Sequence, residues 1–341
     1  MKRLFILFAA LLLLRCGVRP EQVLSGEARA LYLQEIGIEK ILLTDGKEAG
    51  VHLYVLDNKS SSARKLTKTP ALRVGSWSPD GKRIAYVEKN SLNVMKEDGT
   101  EIKQVVNYPS GPTILSFRWA PDGSRIVFRV GPPSGTVYTV RPDGTGLTTI
   151  DAPWVPTSAS FNNPGEVVWS PDSRTLAYEA KYTGDTVPQV YLIGADGTGR
   201  RRLTGTPAAA RNPSWSADGK KIAFDADTRL YTINADGTDQ KQISTIFAIS
   251  PVWSPTDQAL VYQTSNGSIG VINPDGSGRH QVVGLNSGES ALFRSWSLDG
   301  SRIAFVGFFQ NILSIYVVKA SGDDLHSLVD DVESFDVKWN R

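Results

Sequence analysis

The chain has 341 residues, 40% of them apolar, with 37 basic and 35 acidic side chains and a formal charge of +2. That is enough apolar material for one large domain or two average ones, and the balanced charge excludes the electrostatic footprint of a nucleic-acid-binding protein. Three His and one Cys exclude a disulfide framework and leave little for a transition-metal cage, while 31 Gly and 19 Pro point to an all-β chain dense in turns.

The N-terminal stretch stands apart from the rest of the chain. Met1-Lys2-Arg3 is basic, and Leu4 to Leu14 is an unbroken apolar run of 11 residues. A membrane-spanning helix needs ~20 apolar residues, so the run fits an export signal instead. Cys16, the only cysteine, comes just after it, and the arrangement resembles a bacterial lipoprotein signal in which that cysteine is lipidated. Arg15 departs from the pattern, because such signals want Gly, Ala or Ser there. Cleavage after Ala28-Arg29-Ala30 is the rival expectation. Residues 1–16 are therefore expected to be the signal, 17–37 a tether and 38–341 the folded domain. An extra strand over Ala28 to Glu35 is a further option.

From residue 38 onward the chain repeats. The first unit is incomplete: Lys40 to Thr44, His52 to Leu56 and Ala63 to Thr67 read as three strands with no leading one. Then Trp77-Ser78-Pro79-Asp80-Gly81 begins a series continued at Trp119, Trp169, Trp215, Trp253, Trp296 and Trp339, spaced by 42, 50, 46, 38, 43 and 43 residues. After each of the first six tryptophans comes a turn and an alternating strand such as Arg83-Ile84-Ala85-Tyr86 or Lys221-Ile222-Ala223-Phe224. A second turn recurs at Glu97-Asp98-Gly99-Thr100, Pro142-Asp143-Gly144-Thr145 and Ala235-Asp236-Gly237-Thr238. Gly supplies the positive φ of a tight turn and Asp tolerates its neighbour's conformation. Each unit thus reads as a four-stranded antiparallel sheet, and the period is that of propeller blades.

Phe335 to Trp339 is a leading strand with nothing after it, which is what the first unit lacks. The expected architecture is an all-β, seven-bladed β-propeller whose C-terminal strand completes the first blade, with six or eight blades as alternatives. Closure of this kind leaves only short, protected sheet edges. Trp-Ser-Pro-Asp-Gly-Lys-Arg-Ile-Ala-Tyr, with the later Asn-Ala-Asp-Gly-Thr turn, resembles the WD40-like repeat of TolB-type propellers over roughly residues 38–339. The resemblance implies a non-catalytic scaffold for protein–protein interaction in the cell envelope. It departs from TolB itself in lacking an α/β domain ahead of the repeats and in favouring seven blades over six.

The residues that could carry chemistry are few. A Trp fixed within an apolar strand reads as packing between blades rather than a sugar platform. Asp before Gly is explained by turn chemistry, and no turn gathers several oxygen ligands as a calcium loop does. Similar repeats precede the hydrolase domain of prolyl-oligopeptidase-like peptidases, but Gly288-Glu289-Ser290-Ala291-Leu292 lacks the final Gly of a nucleophile elbow. His52, His280 and His326 fall in different blades. Lys82, Arg83, Arg125, Arg174, Lys220, Lys221 and Arg302 gather on one rim, where they read as a solvated surface.

Insertions in repeat proteins map to loops on the binding face. The two longest steps bracket Trp169, and they place Trp154, Phe161 and Tyr182 on one face, with Phe308 and Phe309 in an equivalent loop of the last blade. Arg118, Arg211 and Arg294, shortly before their tryptophans, add charge near the channel. These eight residues are the candidate binding set for an envelope or secreted protein, or a glycan. No catalytic residue, metal ligand, cofactor or nucleic-acid partner is expected, and membrane contact would come only through lipid on Cys16. The protein is expected to be exported, to the periplasm or an outer surface. The alternative is a propeller lyase or hydrolase acting at the channel mouth on polysaccharide or a small molecule; Glu166 and Asp336 are the acidic residues near inner-strand starts.

Overall fold

The computed structural model describes residues 26–45, 52–59, 63–67, 73–107, 113–131, 136–150, 167–309, 312–330 and 334–339. Their 28 strands, β1 to β28 in chain order, form seven four-stranded antiparallel sheets. Blade 2 occupies residues 73–107, blade 3 114–150, blade 4 168–202, blade 5 210–242, blade 6 249–283 and blade 7 290–330. Blade 1 joins the two ends of the chain. Its order is β28 (Ser334–Trp339), β1 (Ile38–Asp45), β2 (His52–Asp57) and β3 (Arg64–Lys65), with Ile41 opposite Val337 and Leu42 opposite Asp336. Seven blades, not six or eight, make the ring.

Within a blade the second strand is sealed on both sides, because each face meets a neighbouring sheet. In blade 5, β17 (Lys221–Ala226) is buried from Ile222 to Ala226. Its Phe224 lies opposite Tyr231 on β18 (Arg229–Asn234), the rings stacked 5.4 Å apart. The same cross-strand aromatic pair recurs as Phe128–Tyr138 at 5.3 Å and Phe305–Tyr316 at 5.4 Å. Such pairs stabilise a sheet beyond their buried area.

Four of the repeated tryptophans hydrogen-bond blade to blade. The Trp119 indole donates to the Ser76 carbonyl of blade 2 (3.1 Å), Trp169 to the Arg118 carbonyl of blade 3 (3.4 Å) and Trp296 to the Val252 carbonyl of blade 6 (3.4 Å). Trp339 closes the circle by donating to the Ser295 hydroxyl of blade 7 (3.1 Å).

The Asp residues are spent on the turns that hold them. In the first turn of blade 5, the Ser216 hydroxyl donates to Asp218 (2.7 Å) while accepting from the Lys221 amide (2.9 Å). In the second turn, Asp236 accepts from both the amide and the hydroxyl of Thr238, at 2.9 and 2.7 Å. Asp98, Asp143, Asp196 and Asp275 repeat the second pattern. Both turns lie at one end of the blade, here termed lower; the loops after second strands and the links between blades lie at the upper end.

Two expectations need correction. Ala28 to Glu35 does not add a strand: it belongs to a helix, α1 (Gly26–Glu35), with Leu33 fully buried among residues of blades 1 and 7. Ala, Arg, Leu, Gln and Glu are strong helix formers, and Gly37 at φ 77 stops the helix as a left-handed C-terminal residue does. Phe308 and Phe309 are not in a loop. Strand β25 (Arg302–Phe309) runs through them, and Phe309 is buried edge-on against Phe305 and Tyr316.

Candidate functional site

The inner strands run downward from the upper face and end at their tryptophans. Arg118, Arg211 and Arg294 stand one, four and two residues before those tryptophans, so they occupy different heights. Arg118 lies opposite Val127 and Arg211 opposite Asp225, two residues above Ala223, the counterpart of Val127, so at about 3.3 Å per residue Arg211 lies roughly 7 Å above the level of Arg118. Arg118 is exposed; only the backbone of Arg294 is described. Tyr182 folds onto its own blade: its hydroxyl lies 3.0 Å from that of Tyr178, its ring meets Tyr191 edge-on, and the Arg200 guanidinium caps it at 4.1 Å. Phe308 is half-buried. Trp154, Phe161, Glu166 and Cys16 lie outside the described residues.

A different set of charges draws together between blades 3 and 5. The residue after the aromatic of each second strand, or after Leu43 in blade 1, forms a layer around the ring: Thr44, Val87, Arg129, Glu179, Asp225, Gln263 and Val306 from blade 1 to blade 7. In blades 2 and 7 this position is apolar; in blades 3, 4 and 5 it is a buried charge, Arg129, Glu179 and Asp225 being 2%, 3% and 4% exposed. Arg211, opposite Asp225 in register, reaches across to Glu179 at 3.5 Å. Positive and negative groups thus alternate over three blades.

The backbone is shaped around the last carboxylate. Strand β16 (Ala210–Trp215) bulges at Asn212-Pro213, and β20 (Ile249–Trp253) bulges at Ser250-Pro251. Asn212 and Ser250 both take positive φ, 51 and 55, which non-glycine residues rarely adopt. The bulges turn the Asn212 amide (2.7 Å) and the Ser250 backbone N–H (2.8 Å) onto the same Asp225 oxygen. Proline after each bulge residue has no N–H to leave unpaired.

Burial dominates the electrostatics. It pushes the Glu179 carboxyl up to about 7, with Arg211 and Arg129 pulling the other way. Asp225 is pushed up to about 6 against its hydrogen bonds and Arg211. Burial also lowers Arg129 to about 10, resisted by Glu179. Asp336, on β28, is raised by burial while accepting from the Trp77 amide (2.9 Å) and the Ser76 hydroxyl (3.1 Å), with Arg118 opposing the rise. Among the described residues, no three His, Cys, Asp or Glu come together to hold a metal ion.

The family follows from the repeats themselves. A model of the TolB beta propeller domain matches residues 83–290. The chain belongs to that family. Among curated proteins it is similar to the uncharacterized peptidase YuxL of Bacillus subtilis, 30% identical over 164 residues, covering 48% of this chain and 18% of that protein. The chain spans less than a fifth of the length of the curated relatives it matches. Among solved structures, an oligogalacturonate lyase in complex with manganese superposes with TM-score 0.65 at 16% identity, covering 82% of this chain and 86% of that one. TolB from Acinetobacter baumannii gives TM-score 0.51 at 19% identity, covering 94% and 88%. At those identities the likeness is one of fold alone.

Sequence reasoning missed the buried layer because it examined loops and the residues before each Trp. The signal was there to read. Aligning the residue after Tyr86, Phe128, Tyr178, Phe224, Tyr262 and Phe305 gives Val, Arg, Glu, Asp, Gln and Val.

Proposed function

We propose that this protein is an exported, non-catalytic propeller scaffold that holds a protein partner in the cell envelope at its upper face. The observation that carries the reading is the asymmetry of the ring. Repeated sheets build the body, and among the described residues one layer position carries a buried charge in three successive blades, 3 to 5, and a neutral residue in the other four. Its side chains are fixed by one another and by bulged backbone, so little freedom is lost on binding. Family membership and the basic-then-apolar N-terminus with Cys16 support the envelope setting.

The test is a photo-crosslinking residue placed singly at Arg211 or Phe308 above, and at Lys82 or Lys220 below, in cells making the full chain. A discrete protein adduct from the upper positions and none from the lower is expected. Adducts from the lower positions alone, or from none, would overturn the reading.

A second reading rests on Glu179. A buried carboxyl that titrates near 7 beside an arginine is suited to general acid–base work. Turnover of an oligosaccharide or peptide that disappears in Glu179→Gln, while the fold persists, would favour an enzyme over a scaffold.

A further inference from the structure

Among the described residues five large apolar side chains stand exposed, and four of them lie at the lower end: Leu31, Ile102, Leu147 and Leu298. The fifth, Ile312, opens β26 (Ile312–Lys319) at the upper end. The four are not spread evenly around the rim. Leu298 is in the first turn of blade 7, Leu31 is on α1 at the seam of blades 7 and 1, and Ile102 and Leu147 follow the second-turn glycines of blades 2 and 3. At the position of Ile102 and Leu147, three residues after that glycine, blades 4, 5 and 6 carry Arg200, Gln240 and Arg279. One arc of the rim, from blade 7 through blade 1 to blade 3, is thus apolar where the other is polar. Single exposed apolar residues need no explanation, but their restriction to one arc does.

Helix α1 ties this arc to the N-terminal segment. It lies at the lower end of the seam: the Tyr32 ring meets that of His326 at 4.5 Å, and the Gln34 amide donates to the Asn58 carbonyl in the second turn of blade 1 (2.6 Å). Leu33 is buried against the ring; Leu31, two residues back and about 200° round the helix, faces away from it. Nine residues, 17–25, separate Cys16 from Gly26, and fully extended they span at most about 35 Å. Cleavage after Ala30 would cut α1 in two and leave Tyr32 and Leu33 on a short remnant.

We propose that this apolar arc of the lower rim rests on a phospholipid bilayer, held there by a chain that leaves the membrane at Cys16. The proposal goes beyond the scaffold reading and shares only its envelope setting. A bilayer accepts isolated apolar side chains at its headgroup boundary without a complementary pocket. Four such side chains are too few to hold a free protein, but a short tether supplies the local concentration that makes a weak contact persist. Charge does not choose the partner, because this rim pairs its own: Arg302 with Asp324, and Lys96 with Glu101. With the lower rim on the bilayer, the charged arc of the upper face is turned away from it.

The experiment is photo-crosslinking in cells that make the full chain and carry radiolabelled phospholipid. The crosslinking residue is placed singly at Ile102, Leu147 or Leu298, at Gln240 or Arg279 on the other arc, and at Ile312 above. Lipid adducts in the membrane fraction from the first three alone are expected. Ile102→Ser combined with Leu147→Ser, both at exposed positions, should lower the Leu298 adduct about tenfold. A chain found only in the soluble fraction, or lipid adducts from neither arc or equally from both, would overturn the contact. So would adducts to a protein or a second copy at the apolar arc, or a Leu298 yield unmoved by the double variant. Protein adducts at Arg211 or Phe308 without lipid adducts below would sink the bilayer contact and spare the scaffold. Lipid adducts below with no protein adducts above would do the reverse.

Discussion

Glu179 shows at the scale of one residue how burial and partnership oppose each other. Its carboxyl holds a proton more tightly in the fold than in the unfolded chain, near 7 against an ordinary 4.5, and Asp225 does the same near 6 against 3.8. A raised carboxyl contributes stability that is fully present below the unfolded value and is lost as pH rises through the folded one. The turn residues Asp80, Asp172, Asp218 and Asp299 run the opposite way. Hydrogen bonds from their own turns, with nearby Lys or Arg at Asp80, Asp172 and Asp218, hold them below the usual range, so their contribution is lost as pH falls below about 4. Melting temperature should therefore peak near pH 5 and decline towards pH 8. Glu179→Gln should flatten that decline, by up to ~3 kcal/mol from the size of the shift. Thermal melts of both proteins from pH 4 to 8 check this; parallel slopes would refute it. None of these partnerships could be read from a Tyr-Glu pair in the chain, because Arg211 lies 32 residues from Glu179 and only adjacent blades bring them together.

Elements were far more legible than the site. Ile-Ala-Phe and Ile-Ala-Tyr runs announce strands buried on both faces, and Ser-x-Asp-Gly announces a turn whose Asp accepts from the following amide, as Asp80 does from Lys82. Ser216 and Asp218 are one such turn, and Ser216→Ala should cost about 1 kcal/mol by denaturant titration. Phe224→Ala removes a fully buried ring and its stack on Tyr231, so about 3–5 kcal/mol is expected from the same measurement. A smaller loss than that of Ser216→Ala would mean that the aromatic pairs are not what holds the sheets. The helix over Gly26–Glu35 was illegible for a physical reason. Its sequence favours helix, but the apolar residues show no clear amphipathic stripe, and Leu33 is buried only because blades 1 and 7 provide a floor.

For the whole molecule, the strand count alone implies a ring: an initial sheet short of one strand and a final strand short of a sheet. The structure pairs them from Ile38 opposite Trp339 to Thr44 opposite Ser334, and Asp336 then reaches into blade 2. Deleting residues 334–341 exposes the long edge of β1 and removes the Trp339–Ser295 bond. The truncated protein should aggregate or melt far lower, seen by gel filtration and thermal melting. A soluble monomer with an unchanged melt would show that blade 1 stands without its borrowed strand.

A sheet assembled from opposite ends of a polypeptide also sets a timetable. Six blades can form as their residues are made, yet the first-made strands stay unpaired on one side until Trp339 has been synthesised. The circle therefore locks only when that last segment is in place, and any event that holds back the final strand holds back the whole ring.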